Sequence, residues 1–198
     1  MPDTRTPTYP IAEDYLSRWS PRAFSDEEVS EAALLTMIEA ARWAPSCYNS
    51  QPWRFIYVRK GEPVWEASLD TLVPFNRMWG EKAGAVVFLV SAVKMITKPG
   101  EAPAPADYHT FDSGAAWAYF ALQASRMGLA SHGVAGFDKD KVRQLFSIPQ
   151  DFTCEIAILA GKPGDKSGLP EFLQGKEEPS QRRPLAEIAF NGYFQGSL

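Results

Sequence analysis

The apolar positions of the chain recur with helical spacing in two segments. In residues 34–41 they follow the i, i+3, i+4, i+7 rule of a helix with one buried face. Ser30 is placed to cap the N-terminus of this helix. The helix should end before Pro45, because proline disfavours the helical state of the residue that precedes it. A second helix is predicted over residues 111–127, where an apolar stripe is followed by Gly128, a natural stop.

Three other segments have the composition of strands. Trp53–Arg59 is rich in aromatic and β-branched residues, and residues 155–160 form a similar apolar segment. Residues 85–93 are apolar almost without interruption, which is typical of a central strand buried on both faces. Short helices are predicted at residues 64–72 and after Asp138, whose side chain suits an N-cap.

The remaining segments lack regular periodicity. Residues 98–107 contain three prolines and one glycine, which predicts a mobile loop. Residues 1–12 form a loose arm, and residues 165–198 form a long tail with a short helical patch at 185–190. A tail of this length is unusual in an independent monomer, so we expect it to embrace a partner subunit. The order of elements predicts one α+β or α/β domain over residues 1–198, built around a small sheet.

Composition excludes several classes of protein. The 198 residues are 45% hydrophobic and 22% charged, as in folded globular proteins. The net charge of -4 and the absence of a basic block argue against non-specific nucleic-acid binding. Two cysteines cannot form a disulfide framework, which favours a reducing compartment. No apolar run approaches the length of about 20 residues that a membrane helix needs. We therefore expect a cytoplasmic, soluble protein.

The sequence contains few residues suited to metal or nucleophilic chemistry. Cys47, Cys154, His109 and His132 do not have the spacing of a metal site, and neither a P-loop nor a dinucleotide fingerprint is present. A cysteine hydrolase would need Cys47 as its nucleophile, but the negative end of a helix dipole just before it disfavours a thiolate. His132 lies among small residues and is interpreted as a hydrogen-bonded packing histidine.

Two short cationic clusters are candidates for anion binding. Arg18, Ser20 and Arg22 place two guanidinium groups and a hydroxyl within five residues. Arg182 and Arg183 form a second pair near the C-terminus. Converging groups of this kind suit a phosphate monoester. A solvated basic patch is the alternative.

A second candidate is the proline-bracketed loop of residues 45–52. Its Ser, Asn and Gln side chains could form hydrogen bonds with a planar heterocycle. An ordinary helix-to-strand turn is the alternative.

Taken together, three segments resemble the nitroreductase family of FMN flavoproteins. They are residues 18–22 (RWSPR), residues 40–53 (AARWAPSCYNSQPW) and residues 128–138 (GLASHGVAGFD). The resemblance extends from about residue 15 to residue 192. It implies a three-layer α+β fold with a small mixed β-sheet flanked by helices. It also implies an intertwined homodimer with FMN at each of two subunit interfaces.

The resemblance also implies roles for individual residues. The implied cofactor-binding residues are Arg18, Trp19, Ser20, Arg22, Pro45, Ser46, Cys47, Asn49, Asn76, Ala135, Gly136, Arg182 and Arg183. The arginines and Ser20 match the phosphate and ribityl site, and the 45–49 segment matches a loop that the second subunit places against the flavin. Asn76 matches a contact to the flavin pyrimidine edge. The backbone at residues 135–136 matches the segment that faces flavin N5. Some family members have a lysine near flavin N1 and O2 a few residues after the position of Asn76. Here Trp79 and Gly80 occupy that stretch, and Lys82 is the nearest lysine along the sequence.

The implied activity is hydride transfer from NADH or NADPH through flavin N5 to a nitroaromatic, quinone or enone acceptor, in a ping-pong cycle. No acid–base residue is required, because the cofactor performs the chemistry. Candidate acceptor-site residues are Trp79, Tyr108, His109 and Phe111, with the 98–107 loop as a gate. The alternatives are an FMN storage or sensor protein, a flavin-destroying or dehalogenase-like sister enzyme, and a non-flavin hydrolase or interaction domain.

Overall fold

A computed structural model describes residues 5–196. The helices are α1 (Glu13–Ser17), α2 (Glu31–Arg42), α3 (Trp65–Leu69), α4 (Pro74–Gly80), α5 (His109–Arg126), α6 (Lys139–Leu145) and α7 (Glu171–Gln174). The strands are β1 (Trp53–Arg59), β2 (Ala85–Ala92), β3 (Lys94–Met95), β4 (Ala104–Pro105), β5 (Ala130–Val134) and β6 (Phe152–Gly161). Short 3₁₀ turns occupy Cys47–Asn49, Lys166–Gly168 and Leu185–Glu187.

The main sheet has four strands in the order β1-β2-β6-β5. Its central strand β2 is buried along nearly its whole length, as its continuous apolar run predicts. All three strand pairs are antiparallel, with Val86 opposite Val58 on one side and Leu159 on the other. The resemblance implies a mixed sheet, so any parallel pair has to involve a strand outside these four.

Helices cover both faces of the sheet and give an α+β fold of three layers. On one face, Val87, Leu89 and Ile158 pack with the apolar stripes of α2 and α5. On the other face, Val86 and Phe88 pack with residues of α3, α4 and α6. Each sheet residue therefore contributes to one of two cores according to its position in the strand alternation.

The helix boundaries follow the signals in the sequence. Ser30 Oγ accepts a hydrogen bond from the Ala33 N–H at 3.2 Å at the start of α2. The Asp138 carboxylate accepts from the N–H groups of Asp140 and Lys141 at the start of α6. Gly128 follows α5 with φ +71°, the left-handed conformation that glycine adopts without strain. The predicted caps and the predicted stop are confirmed.

Three segments differ from the prediction. Strand β5 was not predicted, because its sequence ASHGV lacks the pattern of a strand and forms one by pairing with β6. Helix α4 was also missed, and the helix predicted at 64–72 is confined to Trp65–Leu69. Within the predicted loop 98–107, β4 pairs with β3 and Ala106 is buried, so the end of this segment is anchored on the body of the protein.

Within the described residues, the fold lacks two features that would indicate other functions. No helix within residues 5–196 combines the length and the apolar composition needed to cross a membrane. The same residues contain no group of three or more His, Cys, Asp or Glu side chains able to hold a metal ion. The free thiol of Cys154 is buried, and this burial raises its pKa.

Candidate functional site

Four of the five residues predicted to bind phosphate converge on one pocket of about 310 Å³, here called the basic pocket. It lies between the segment after α1, strand β5 and the tail, and is lined by Arg18, Trp19, Ser20, Arg22, His132, Lys176, Glu178, Ser180 and Arg182. Among the described residues that line it, four are cationic and one is a carboxylate. An excess of positive charge in a concave site suits a multiply charged anion.

Arg18 is the clearest sign of an anion site. Its Nη1 donates a hydrogen bond to Ser20 Oγ at 3.3 Å, which aligns the guanidinium with the hydroxyl. Burial, together with the positive charges of Arg182 and Arg5, lowers the pKa of Arg18. An arginine remains charged at neutral pH, so the lowered pKa reflects first the burial of a charged group and then its repulsion by neighbouring cations. An anion bound between Arg18 and Arg182 would relieve that repulsion.

Arg22 differs from Arg18 because it already faces a carboxylate. Glu177 Oε1 accepts the N–H groups of Arg22 and Ala23 at 2.5 and 2.8 Å. The Arg22 guanidinium lies 3.7 Å from Glu177 Oε2, and the Glu177 side chain is 3% exposed. Arg22 Nε is buried and has no hydrogen-bond partner in the described part of the chain. Arg22 therefore compensates a buried carboxylate and keeps one N–H group for a ligand.

Sequence reasoning missed Glu177. Within the run Lys176, Glu177, Glu178, nothing distinguishes the buried carboxylate from its exposed neighbour. The packing of the tail against residues 22–23 selects one of them. No local signal in the sequence could have identified it.

His132, interpreted from sequence as a packing residue, is also part of the basic pocket. Its Nδ1 lies 3.0 Å from the Pro21 carbonyl oxygen, and its ring lies 4.8 Å from the Trp79 ring. Burial lowers the pKa of His132 despite its hydrogen bond to Pro21, and the charge of Arg22 adds to this effect. A neutral imidazole therefore lines a cationic pocket.

The two adjacent arginines of the tail lie in different surroundings. Arg182 lines the basic pocket, and its Nη1 donates to Ser180 Oγ at 3.0 Å. Arg183 is exposed outside this pocket, with its Nη1 4.0 Å from Glu187 Oε2. The structure does not support the predicted phosphate contact of Arg183.

None of the residues of the 45–52 loop lines the basic pocket of its own chain. Tyr48, Asn49 and Gln51 have φ of 52°, 53° and 47°, a conformation that is strained for residues other than glycine. The Asp112 carboxylate accepts a hydrogen bond from the Cys47 N–H at 3.0 Å. Asp112 is buried in α5 and holds this strained loop, a role that the sequence did not indicate.

The predicted contacts to the flavin ring form a second small cluster. Asn76 Nδ2 donates a hydrogen bond to the Gly136 carbonyl at 2.9 Å, which brings two predicted residues together. A Cβ on Gly136 would lie 2.6 Å from Asn76 Nδ2, so glycine is required there by Asn76. Ala135 is exposed beside Gly136. Lys82 Nζ donates to the Gly168 carbonyl at 3.3 Å.

Of the residues predicted to contact the acceptor, Trp79 is buried and cannot contact a substrate at the surface. Trp79 is 2% exposed and belongs to the core, so it offers no surface to a substrate. The His109 ring is held by Ser91 Oγ at 2.7 Å and by Glu155 Oε1 at 3.1 Å. Tyr108 and Phe111 are exposed at the start of α5. Trp79 is predicted wrongly because its position in α4, which turns it inward, was not foreseen.

The chain thus has an α+β fold with a cationic pocket beside its sheet. Residues 15–162, most of the chain, match the model of the nitroreductase family. The chain is a member of the nitroreductase family.

Individual relatives agree with this assignment. A solved oxidoreductase containing FMN is 39% identical, with a TM-score of 0.94 and 98% of each chain covered. A Streptomyces coelicolor protein provisionally named NADH dehydrogenase/NAD(P)H nitroreductase is 33% identical over 168 residues, 76% of this chain and 80% of the relative. A protein of Desulfovibrio desulfuricans, provisionally named a nitroreductase, was solved in complex with FMN and is 24% identical to this chain. The two structures align with a TM-score of 0.70 over 96% of this chain and 100% of the other, which shows the shared fold.

Proposed function

We propose that this protein is an FMN-dependent oxidoreductase that transfers a hydride from NADH or NADPH to a small nitroaromatic, quinone or enone acceptor, in two alternating half-reactions. The observation that supports it best is the convergence of Arg18, Ser20 and Arg182 on the basic pocket. A relative of 39% identity that contains FMN makes this flavin the natural occupant.

The basic pocket fits the phosphate of FMN on its own chemistry. Guanidinium groups and a hydroxyl are the groups that bind phosphate oxygens through charge-assisted hydrogen bonds. The positive charge of Arg182 lowers the pKa of Arg18, so the two guanidinium groups repel each other. Arg22 contributes its buried Nε, which has no partner in residues 5–196. A phosphate dianion satisfies these groups together.

The cluster around Gly136 would orient the flavin ring. When bound, FMN supplies a ring that accepts a hydride from a nicotinamide and passes it to an acceptor. The Asn76 amide N–H is used by the Gly136 carbonyl, so its amide oxygen is the group suited to accept from a ring N–H. Ala135 is exposed beside this cluster, and its backbone N–H is the donor we propose for the ring edge. These residues bind and orient, and no side chain is needed to move a proton.

A second copy of the chain is proposed to complete the site. In one chain the strained 45–52 loop does not reach the basic pocket, whereas the resemblance places this loop against the flavin of the partner. Phe111 is 78% exposed on α5, close to Gly114, which has open space beside it. Trp43 and Tyr48 are exposed on the adjacent helix end and loop. Exposed aromatic side chains on neighbouring elements favour an interface at this surface.

The tail provides independent support for a dimer. Tyr193 is 89% exposed, and Phe194 and Ile188 are also largely exposed. Packing these aromatic side chains against a partner surface would bury their apolar area, which favours association. The tail is therefore proposed to pack on the second subunit, after supplying Arg182 to the pocket of its own chain.

The first test is the visible absorption spectrum of the purified protein with FMN, before and after anaerobic addition of NADH or NADPH. Flavin bands that bleach with a nicotinamide are expected. Flavin that binds but does not bleach would point to a storage or sensor protein. A protein that does not bind FMN would contradict the proposal.

The phosphate site is tested by combining Arg18→Ala with Arg182→Ala. Each charge-assisted contact is worth about 1.5–3 kcal/mol, which corresponds to roughly 10- to 150-fold in affinity. The Kd for FMN should therefore rise at least about 100-fold in the double variant. Arg183→Ala is the matched control and should leave the Kd within about twofold. Equal effects in both variants would show that charge in general, and not the basic pocket, determines binding.

The dimer is tested by light scattering, with an expected mass of twice the 22.0 kDa of the chain. Gly114→Leu should reduce the fraction of dimer, because the open space at Gly114 would be filled by the partner helix. A monomer that still binds and reduces FMN would refute the shared site.

A further inference from the structure

His132 is a titratable group in the basic pocket to which the proposed function assigns no role. We propose that His132 takes up a proton when a phosphate monoester binds in the basic pocket, and then acts as one of its cationic ligands. The inference rests on the proposed function, since the monoester in question is the phosphate of FMN. It adds a proton-linked step to cofactor binding.

The hydrogen bonds of the imidazole determine which nitrogen can take up the proton. A carbonyl oxygen only accepts, so the Nδ1 that lies 3.0 Å from the Pro21 carbonyl must be the protonated nitrogen and the donor. The second nitrogen, Nε2, is then the basic one. Because Pro21 lies between Ser20 and Arg22, this hydrogen bond fixes the ring against the predicted phosphate-binding segment. A proton added to Nε2 would create a second donor in the pocket.

The charges around His132 explain why protonation depends on the ligand. Arg18, Arg22, Lys176 and Arg182 line the same pocket, and with Trp79 packed on the ring they disfavour a further positive charge. The opposing groups are Glu177, held by two backbone N–H groups and Arg22, and Glu178 at the pocket edge. A bound dianion favours protonation of His132, because its attraction for the imidazolium outweighs the repulsion from the guanidinium groups.

The chain offers an internal control for this proposal. It has two histidines, and the other, His109, is held by Ser91 and Glu155 outside the basic pocket. The ¹⁵N signals of the two imidazoles can be assigned with a single variant, His109→Gln. His132 should then titrate at a higher pH in the presence of saturating FMN than in its absence, and the His109 signal in the wild-type protein is the reference. An unchanged titration of His132 would overturn the proposal without requiring any variant of that residue.

Affinity provides a second readout. If one proton is taken up, the Kd for FMN should fall by up to about tenfold per unit of decreasing pH across the titration of His132. The phosphate ester itself loses charge below about pH 6, which weakens binding and acts in the opposite direction. Measurements between pH 6.5 and 8.5 therefore isolate the histidine. Calorimetry in buffers of different ionisation enthalpy should record the proton uptake directly.

The variant His132→Gln should flatten the dependence of the FMN Kd on pH, while His109→Gln retains it. Riboflavin, which lacks the phosphate, should bind with no such dependence in any variant. FMN binding with the same pH dependence in wild type and His132→Gln would overturn this inference alone. A wild-type chain that binds FMN at no pH would overturn the proposed function together with it.

Discussion

Glu177→Ala is expected to destabilise the protein far more than its place in an irregular tail suggests. The carboxylate joins the tail to the segment that precedes the sheet, since its Oε1 accepts the N–H groups of Arg22 and Ala23 at 2.5 and 2.8 Å. Its side chain is 3% exposed and faces the Arg22 guanidinium at 3.7 Å. Truncation would leave two backbone donors and a cation without their partner.

The size of the effect follows from these contacts. A buried donor left unsatisfied costs about 1–3 kcal/mol, and breaking a buried ion pair by removing one partner costs about 3–5 kcal/mol. Because the Arg22 side chain is 26% exposed, water recovers part of this loss. We expect Glu177→Ala to lower the free energy of unfolding by about 3–5 kcal/mol. For a chain of this size, that corresponds to a Tm lower by roughly 6–20 °C.

Urea denaturation at pH 7 without added FMN measures this loss. Glu177→Gln, which keeps the acceptor but removes the charge, should lose about half as much. Glu178→Ala is the matched control, because its neighbouring carboxylate is exposed, and it should change the unfolding free energy by less than about 0.5 kcal/mol. Equal losses in Glu177→Ala and Glu178→Ala would refute the argument that burial of one carboxylate anchors the tail.

Three further predictions concern local contacts. Gly136→Ala would place a Cβ 2.6 Å from Asn76 Nδ2 and should lower the free energy of unfolding, measured by thermal denaturation, by about 1–3 kcal/mol. Gly175→Ala is the control and should be neutral, because its Cβ would meet no atom within 4 Å. Asp138→Ala removes the N-cap of α6 and should lower the unfolding free energy in urea by about 0.5–2 kcal/mol. Burial lowers the pKa of His132 below its ordinary 6.5, so the unfolded chain binds the proton more tightly. The stability this contributes is complete above pH 6.5 and is lost as the pH falls through 6.5 towards the lower folded pKa. Without FMN, the Tm should therefore fall below pH 6.5, and less so in His132→Gln.

The sequence alone determined the elements whose signals are local. The continuous apolar run of β2, the stripes of α2 and α5, and the caps at Ser30 and Asp138 depend on neighbours within one or two turns. Periodicity and capping are properties of short segments, so they can be predicted from the sequence without knowledge of the fold. Residues 18–22, 40–53 and 128–138 together likewise indicated the family, because the residue spacing within each segment is local.

Only the tertiary structure decided which of several equivalent residues has a role. It buries Glu177 and exposes Glu178, and it turns Arg182 into the basic pocket and Arg183 away from it. It also makes a strand of β5, whose sequence lacks a strand pattern, and thereby places His132 beside Arg22. These outcomes depend on contacts between residues far apart in the chain. Burial and charge compensation act through those contacts, and they distinguish neighbours that are chemically alike.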